Sequence, residues 1–582
     1  MEKEKSLSLS VSVALLLLLG CLIYSNTLNA PFYFDDQHRI IRNLSLRPSI
    51  SLERIWESFP TRFVANISFA LQYSLTGLSP WGFHLTNLLI HLLAALAVFG
   101  IARSLLRTPA LKNTLPASHQ DLFALGTAFL FVAHPIQTQA VTYVVQRMTS
   151  LAALFYLATL WFYLKARLEN TRYFWSVSLF MLLAMLTKEI SITLPFTILL
   201  IDVCFFPFSP IETVSKKLRR WIPFAACLLI IPLIFITFPE HLIGNLPPLD
   251  DKIYRWDYLL TQFRVIRTYL RLLFFPIDQC LDYEYPLSTG WGDLNTWSAF
   301  FLLLGIFSLA IALFKKYRLL SFGILFFFLT LIPESSFFPA KDVIFEHRLY
   351  LPMVGFCFFA ASVLTKFIKT SGLFRFVLIA LALILGTLTY RRNAVWANEL
   401  LFWQDQTRAA PLQSRGYFHL GETYNKNHQY LLAADSFLKA LSLKSPGQRN
   451  DIHFNNVGSA YANAGQISKA KYWYHKGLEA YPRSGTLYTN LAVLKMREGD
   501  LESAASLLKT AIASEPESSI AHYELARIYV LKKEYPQAIS LLERAITLDP
   551  FLRPAHELLA TLQELQKNQA NPSDLIGNAE DL

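Results

Sequence analysis

Charge is scarce in this chain: Asp, Glu, Lys and Arg make up 16% of its 582 residues, against 53% hydrophobic and 14% aromatic. With a mean hydropathy of +0.34, that shortage excludes a protein soluble throughout and puts much of the chain in lipid. Cysteine is scarcer still. Of Cys21, Cys204, Cys227, Cys280 and Cys357, four sit inside apolar runs and none lies in the C-terminal region, so they form neither a disulfide framework nor a CxxC metal site. Acidic charge is short by a net +11, and the deficit is lopsided. From Pro411 onward 18 basic residues balance 18 acidic ones, which leaves the whole excess in the first 410 residues. That suits positive-inside loops and not nucleic-acid binding, which needs a basic stripe on a soluble face. Missing too is a small-x-small cleavage site close after the run Leu9 to Ser25, whose 17 residues carry no charge. The run reads as an uncleaved first span.

What is present is a series of long apolar runs. They lie near 83–106, 121–134, 148–165, 173–187, 190–207, 221–238, 297–314, 318–333, 349–366 and 374–390, each about the 17–25 residues a bilayer needs or a little less. With the first they make eleven expected spans. Counted this way, Arg103/Arg107/Lys112, Lys165/Arg167/Arg172, Lys216/Lys217/Arg219/Arg220, Lys315/Lys316/Arg318 and Lys366/Lys369/Arg375 fall on one side, the cytoplasm by the positive-inside rule. The other, external side receives Asp35/Asp36, His134 to Met148, Lys188/Glu189, the stretch 239–296 and Pro333 to Leu351. Tyr258 to Phe275 is expected to lie at the external interface, because Arg264, Arg267 and Arg271 would be costly in hydrocarbon. Those arginines either snorkel to headgroups or bind a phosphate.

The polar stretch Asn29-Ala-Pro-Phe-Tyr-Phe-Asp-Asp-Gln-His-Arg-Ile-Ile-Arg-Asn43 sets two adjacent carboxylates, Asp35 and Asp36, just outside the first span. They can be a solvated turn or a site where ionised carboxylate meets a lipid-linked substrate. Other external loops supply His134 and Arg147, Lys188 and Glu189, and Glu346 and Arg348. Arg348 can grip a phosphate with a two-pronged geometry that Lys lacks; read separately, each of these is equally a cap, an internal ion pair or an interfacial anchor.

From Pro411 the composition turns soluble and repetitive. Pro482, Pro516 and Pro550 are 34 residues apart, and in phase with them run Phe454/Val457/Gly458/Tyr461/Ala470/Tyr474, Tyr488/Leu491/Ala492/Ala504/Leu508/Ala511 and His522/Leu525/Ala526/Tyr529/Ala538/Leu542/Ala545. This is the tetratricopeptide pattern: small residues at the eighth and twentieth places let two helices approach, and the proline stops the second. An earlier copy runs from Tyr417 to Ala440, giving four repeats and a partial helix near Arg553. The expected architecture is all-α: a polytopic membrane domain over 1–392, a linker over 393–410, a tetratricopeptide α-solenoid over 411–567, and a disordered tail over 568–582.

The ordered set Phe34-Asp35-Asp36 with Asn43, His134-Pro135 with Ala140-Val141 and Arg147, Lys188-Glu189, Pro276 with Asp282-Tyr283, and Glu346-Arg348-Leu349-Tyr350-Leu351-Pro352, ahead of the repeats, resembles the transmembrane-and-tetratricopeptide (TMTC) protein O-mannosyltransferases and their bacterial relatives. Glu189 departs from the pattern of the animal members, being followed by Ile-Ser where they carry Gln-Gly. The resemblance implies a GT-C glycosyltransferase fold whose site lies in external loops and draws a sugar from a polyprenyl-phosphate donor. It makes Asp35 and Asp36 the catalytic feature.

The expected function is transfer of a mannose-like hexose to Ser/Thr hydroxyls of exported proteins held in the groove of 411–567. A carboxylate would take the acceptor proton and cations would offset the departing phosphate. The donor-side candidates are Arg348, Lys188, Glu189, His134, Arg147, Glu346 and the Arg264/Arg267/Arg271 face. Because adjacent carboxylates repel, one of the pair could instead keep its proton or hold a divalent metal; the residues alone do not choose. Expected partners are the lipid-linked sugar and a protein acceptor, with no nucleic acid, at a bacterial inner membrane with loops and repeats on the periplasmic face. A non-catalytic repeat platform and a lipid-linked glycan ligase or polymerase are the competing readings.

Overall fold

The computed structural model describes residues 8–47, 51–206, 224, 226–239, 255–288, 290, 292–340, 342–444 and 450–568. The basic cluster Lys216 to Arg220 and the tail beyond Asn568 lie outside the described residues. The chain divides into two compact units, Met1–Ala409 and Ala410–Leu582. Among the described residues there is no strand.

The first unit begins with α1 (Leu9–Tyr24), capped by the Ser8 hydroxyl. A loop with two short helices follows, α2 (Leu52–Ser58) and α3 (Phe63–Thr76), then α4 (Pro80–Leu106) and α5 (Ala117–Ala133). After a one-turn α6 (Thr138–Thr142) come α7 (Arg147–Leu168), α8 (Phe174–Met185), α9 (Leu194–Phe205) and α10 (Ile230–Thr237). The unit closes with α11 (Arg255–Phe274), α12 (Leu294–Leu313), α13 (Arg318–Leu331), α14 (Pro352–Phe367), α15 (Ser371–Trp396) and α16 (Glu399–Ala409).

Each of the eleven expected runs carries a helix. Among the described residues five segments, Leu9–Thr27, Pro80–Leu106, Val144–Leu168, Leu294–Leu313 and Ser371–Trp396, are long and apolar enough to cross a membrane, and His119–Ala133, Arg318–Leu331 and Pro352–Phe367 are shorter apolar helices. The stretch expected at the interface forms a helix, α11, which buries Tyr258, Val265, Tyr269 and Leu272. Interhelical packing relies on small residues, as it must where lipid removes the hydrophobic drive between helices. Where α13 and α14 meet, a Cβ on Gly323 would sit 2.6 Å from the Gly355 carbonyl oxygen, and one on Gly355 would sit 2.4 Å from that of Gly323. Only glycine permits that approach.

The segment 393–410 continues α15 to Trp396 and then forms α16. Gln406 of α16 accepts the Leu281 N–H at 2.9 Å and donates to the Asp282 carbonyl at 2.7 Å, and Arg392 pairs with Asp405.

The second unit stacks helix pairs: α17 (Ser414–Lys426) with α18 (Tyr430–Ser442), α19 (Asp451–Asn463) with α20 (Ile467–Ala480), α21 (Gly485–Arg497) with α22 (Leu501–Ser514), and α23 (Ser519–Leu531) with α24 (Tyr535–Leu548). A last helix, α25 (Arg553–Asn568), packs on α24. The second helices of the last three pairs stop two residues before Pro482, Pro516 and Pro550, since proline can neither donate nor fit inside a helix. At the eighth repeat position a Cβ on Gly458 would lie 2.3 Å from the Tyr474 ring, so the small residue there is required by the approach of α20. This is the tetratricopeptide architecture read from the period.

Candidate functional site

The two adjacent carboxylates do different work. Asp36 is fully buried: one carboxylate oxygen accepts the Tyr33 N–H at 3.0 Å and the other the Val145 N–H at 2.7 Å. Burial pushes its carboxyl up to about 8, against the pull of those two amides. Asp36 thus fastens the first loop to the turn that opens α7. Asp35 is exposed. Phe34 just before it has φ 44°, a left-handed conformation that costs a non-glycine residue about 1 kcal/mol or more, and this bend sends Asp35 away from the buried side taken by Asp36.

Tyr143 holds Asp35 in place. Its hydroxyl accepts the Asp35 backbone N–H at 2.8 Å, and its ring packs against Trp396 with centroids 5.9 Å apart. Burial, then the charges of Asp35 and Asp36, keep that hydroxyl protonated far above the ordinary tyrosine range.

The turn from Tyr143 to Thr149 gathers the other candidates. The Thr149 hydroxyl accepts from Lys188 Nζ at 3.0 Å, and Lys188 pairs with Glu334 at 2.9 Å. Arg62 reaches the Met148 sulfur at 3.9 Å and lies 3.7 Å from Glu189, whose same oxygen accepts the Thr61 hydroxyl at 2.7 Å. Burial raises the Glu189 carboxyl, but Arg62, the Thr61 hydroxyl and Lys188 outweigh it and hold the group below its usual range. Arg39, four residues after Asp35, stacks on Phe59 at 4.4 Å. The Glu334 backbone carbonyl accepts the Tyr258 hydroxyl at 3.0 Å, and Arg348 beside it donates to the Val343 and Asp342 carbonyls at 2.9 and 2.7 Å.

Other expected donor-side residues are spent on the frame. His134 is buried, one ring nitrogen bonded to the Leu273 carbonyl at 3.0 Å and the other accepting the Ile136 N–H at 3.1 Å. The buried Arg147 guanidinium donates to Asn87 Oδ1 at 2.7 Å and to the Phe83 and Ser68 carbonyls at 3.0 and 3.2 Å. Glu346 accepts from the Cys280 N–H and the Tyr283 hydroxyl, both at 2.6 Å, and from Gln279 at 2.8 Å, tying the 276–285 segment to the turn before α14. Arg264 pairs with Asp293 at 3.2 Å, Arg267 donates to Ser298 at 2.9 Å and Arg271 to the Ile277 carbonyl at 3.2 Å. That face is turned to the start of α12 and to its own C-terminal loop.

The structure therefore brings Asp35, Asp36, Lys188 and Glu189 around one turn, with Arg348 joined through Glu334. It adds Arg62, Thr61 and Glu334, to which no sequence pattern pointed, and gives Arg39 and Tyr143 a place beside Asp35. Among the described residues no group of three or more His, Cys, Asp or Glu is arranged to hold a metal.

The tetratricopeptide-repeat family model matches residues 495–562. Among curated proteins, the chain is 25% identical over 563 residues to protein O-mannosyl-transferase TMTC3 of Homo sapiens, an alignment covering 84% of this chain and 59% of that one. It is 26% identical over 465 residues to the human protein O-mannosyl-transferase TMTC4, covering 69% and 62%. The chain thus spans about three fifths of the length of these curated relatives. Among solved structures, YrrB, described as a tetratricopeptide protein with an unusual peptide-binding site, is 22% identical, with 31% of this chain and 89% of that one covered at a TM-score of 0.22. The resemblance to protein O-mannosyl-transferases carried by the loop motifs extends over most of the chain.

Proposed function

We propose that the protein is a membrane glycosyltransferase of GT-C type that moves a mannose-like hexose from a polyprenyl-phosphate carrier to Ser/Thr hydroxyls of exported proteins. The observation that carries this reading is the exposed Asp35, positioned by Tyr143 on the turn where Lys188, Arg62 and Glu189 meet. An accessible carboxylate takes the proton of the acceptor hydroxyl as its oxygen bonds to the sugar C1. The C1–O bond to the carrier breaks, the carrier phosphate keeps the electron pair, and nearby cations offset the added charge.

A lipid carrier is supported by an apolar cavity of about 610 Å³ among α9, α11, α12 and α13, lined by Phe196, Val203, Phe263, Leu303, Phe328 and Ile332. Its lining includes Ser335, next in the chain to the Glu334 that pairs with Lys188. An isoprenoid chain there would bring its phosphate toward the polar loops. The repeats support a polypeptide acceptor, since stacked helix pairs present a groove suited to peptide segments. The basic-loop pattern supports placing site and repeats on the periplasmic face of a bacterial inner membrane.

The test is transfer itself. Purified protein with a polyprenyl-phosphate hexose and a Ser/Thr-bearing protein should add hexose mass to the acceptor, and Asp35→Asn should slow the addition by on the order of 10²–10⁴. If no lipid-linked hexose gives transfer, the platform reading replaces this one.

A further inference from the structure

Two arginines of the first loop are built unlike every other buried or half-buried arginine around the site. Arg147 fills its guanidinium with three oxygen acceptors and Arg348 with two carbonyls. Arg39 and Arg62 are half-buried, yet among the described residues neither guanidinium donates a hydrogen bond to an oxygen. Arg39 stacks on the Phe59 ring at 4.4 Å, within reach of the Asp35 and Glu189 charges; Arg62 has the Met148 sulfur at 3.9 Å and a long ion pair with Glu189 at 3.7 Å. One short segment joins them, since Phe59 carries the Arg39 stack and Pro60–Arg62 forms the next turn. Burial and then the nearby Arg62 charge pull the Arg39 pKa down, outweighing the opposite pull of the Asp35 and Glu189 charges. A guanidinium presents five N–H donors in a planar fork, and two such forks held near each other with their donors unfilled are a standing cost that an anion would remove.

We propose that Arg39 and Arg62 form a phosphate-binding site, and that the phosphate it takes is that of the lipid-linked donor. The inference rests on the donor reading above. It assigns the anion to two residues of the same loop as Asp35 and not to the Arg264/Arg267/Arg271 face. Planar forks suit two phosphate oxygens at once, and they stand where charge builds as the C1–O bond breaks and the phosphate keeps the electron pair.

The experiment uses the full chain in lipid nanodiscs and four probes: polyprenyl phosphate, the neutral polyprenol of the same length, phosphatidylglycerol and inorganic phosphate. Arg39→Gln and Arg62→Gln should each weaken polyprenyl phosphate binding about 10- to 100-fold, the range for loss of a charge-assisted hydrogen bond, without changing polyprenol binding. If the double variant binds polyprenyl phosphate as the unsubstituted protein does, while that protein transfers sugar and Asp35→Asn slows the transfer, the inference falls and the transferase reading stands. If the protein neither binds polyprenyl phosphate nor transfers sugar, that reading falls and takes the inference with it. Equal arginine dependence for phosphatidylglycerol or inorganic phosphate would overturn the donor assignment in favour of a general anion site. Should the glutamine variants fail to fold, the double lysine variant is read, which keeps the charge and loses the fork: weakened binding supports the site and unchanged binding overturns it.

Discussion

The Asp35 backbone amide donates to the Tyr143 hydroxyl at 2.8 Å, so the exposed carboxylate is steered by a residue 108 positions away in the chain. Tyr143→Phe keeps the ring on Trp396 and removes only the hydroxyl. Turnover should fall about tenfold, the effect of losing one neutral hydrogen bond, with KM for donor and acceptor held. An unchanged kcat would show that the hydroxyl does not position Asp35.

The two aspartates should separate cleanly. Asp35→Asn is expected to cost on the order of 10²–10⁴ in turnover and leave the melting temperature unchanged. Asp36→Ala, which strands the Tyr33 and Val145 amides, should destabilise by about 2 to 4 kcal/mol. Thermal melting together with single-turnover transfer reads both, and equal behaviour of the two variants would refute the division of labour.

Asp36 also sets a pH dependence. Its folded pKa of about 8 lies above the ordinary 3.8, so the folded state binds more protons than the unfolded state between those values. Stability contributed by the neutral carboxyl is therefore complete at low pH and is lost as pH rises through about 8, with a slope of at most about 1.4 kcal/mol per unit. Glu346, also raised by burial, acts in the same sense, so the measurement is the difference between the unsubstituted protein and Asp36→Asn. Melting curves that run parallel from pH 5 to about 9 would contradict it.

The α13–α14 crossing should tolerate nothing larger than glycine. Gly323→Ala places a methyl against the Gly355 carbonyl and should destabilise by about 1 to 3 kcal/mol. Gly305→Ala on α12, where nothing lies within 4 Å of the new atom, should be neutral. Unfolding in a denaturing detergent compares the two.

Truncation should depend on four residues. A chain ending at Ala409, the boundary between the compact units, keeps Gln406 and its bonds to Leu281 and Asp282. It should still transfer to a short peptide while losing efficiency on a full-length protein acceptor. A chain ending at Asp405 loses Gln406 and should melt lower. Equal efficiency of the longer truncation on both acceptors would mean that the repeats do not recruit the acceptor.

What the sequence determined by itself is whatever repeats or persists locally. The apolar runs become helices because each run is long enough to satisfy its own backbone, and Pro482, Pro516 and Pro550 mark the helix ends because proline acts on its own turn. The acidic pair and Lys188–Glu189 were visible as polar residues at the ends of such runs, and the structure gathers them around the start of α7. Tertiary structure alone decided which polar groups are spent. His134, Arg147 and Glu346 look as available in the sequence as Asp35, yet their donors and acceptors are filled by Leu273, Asn87 and Cys280, residues tens to more than a hundred positions distant. Arg62 carried no signal, because nothing in its spacing joins it to Met148 or Glu189. A loop residue's chemistry depends on whether a distant chain segment meets its hydrogen-bonding needs, and linear spacing does not record that.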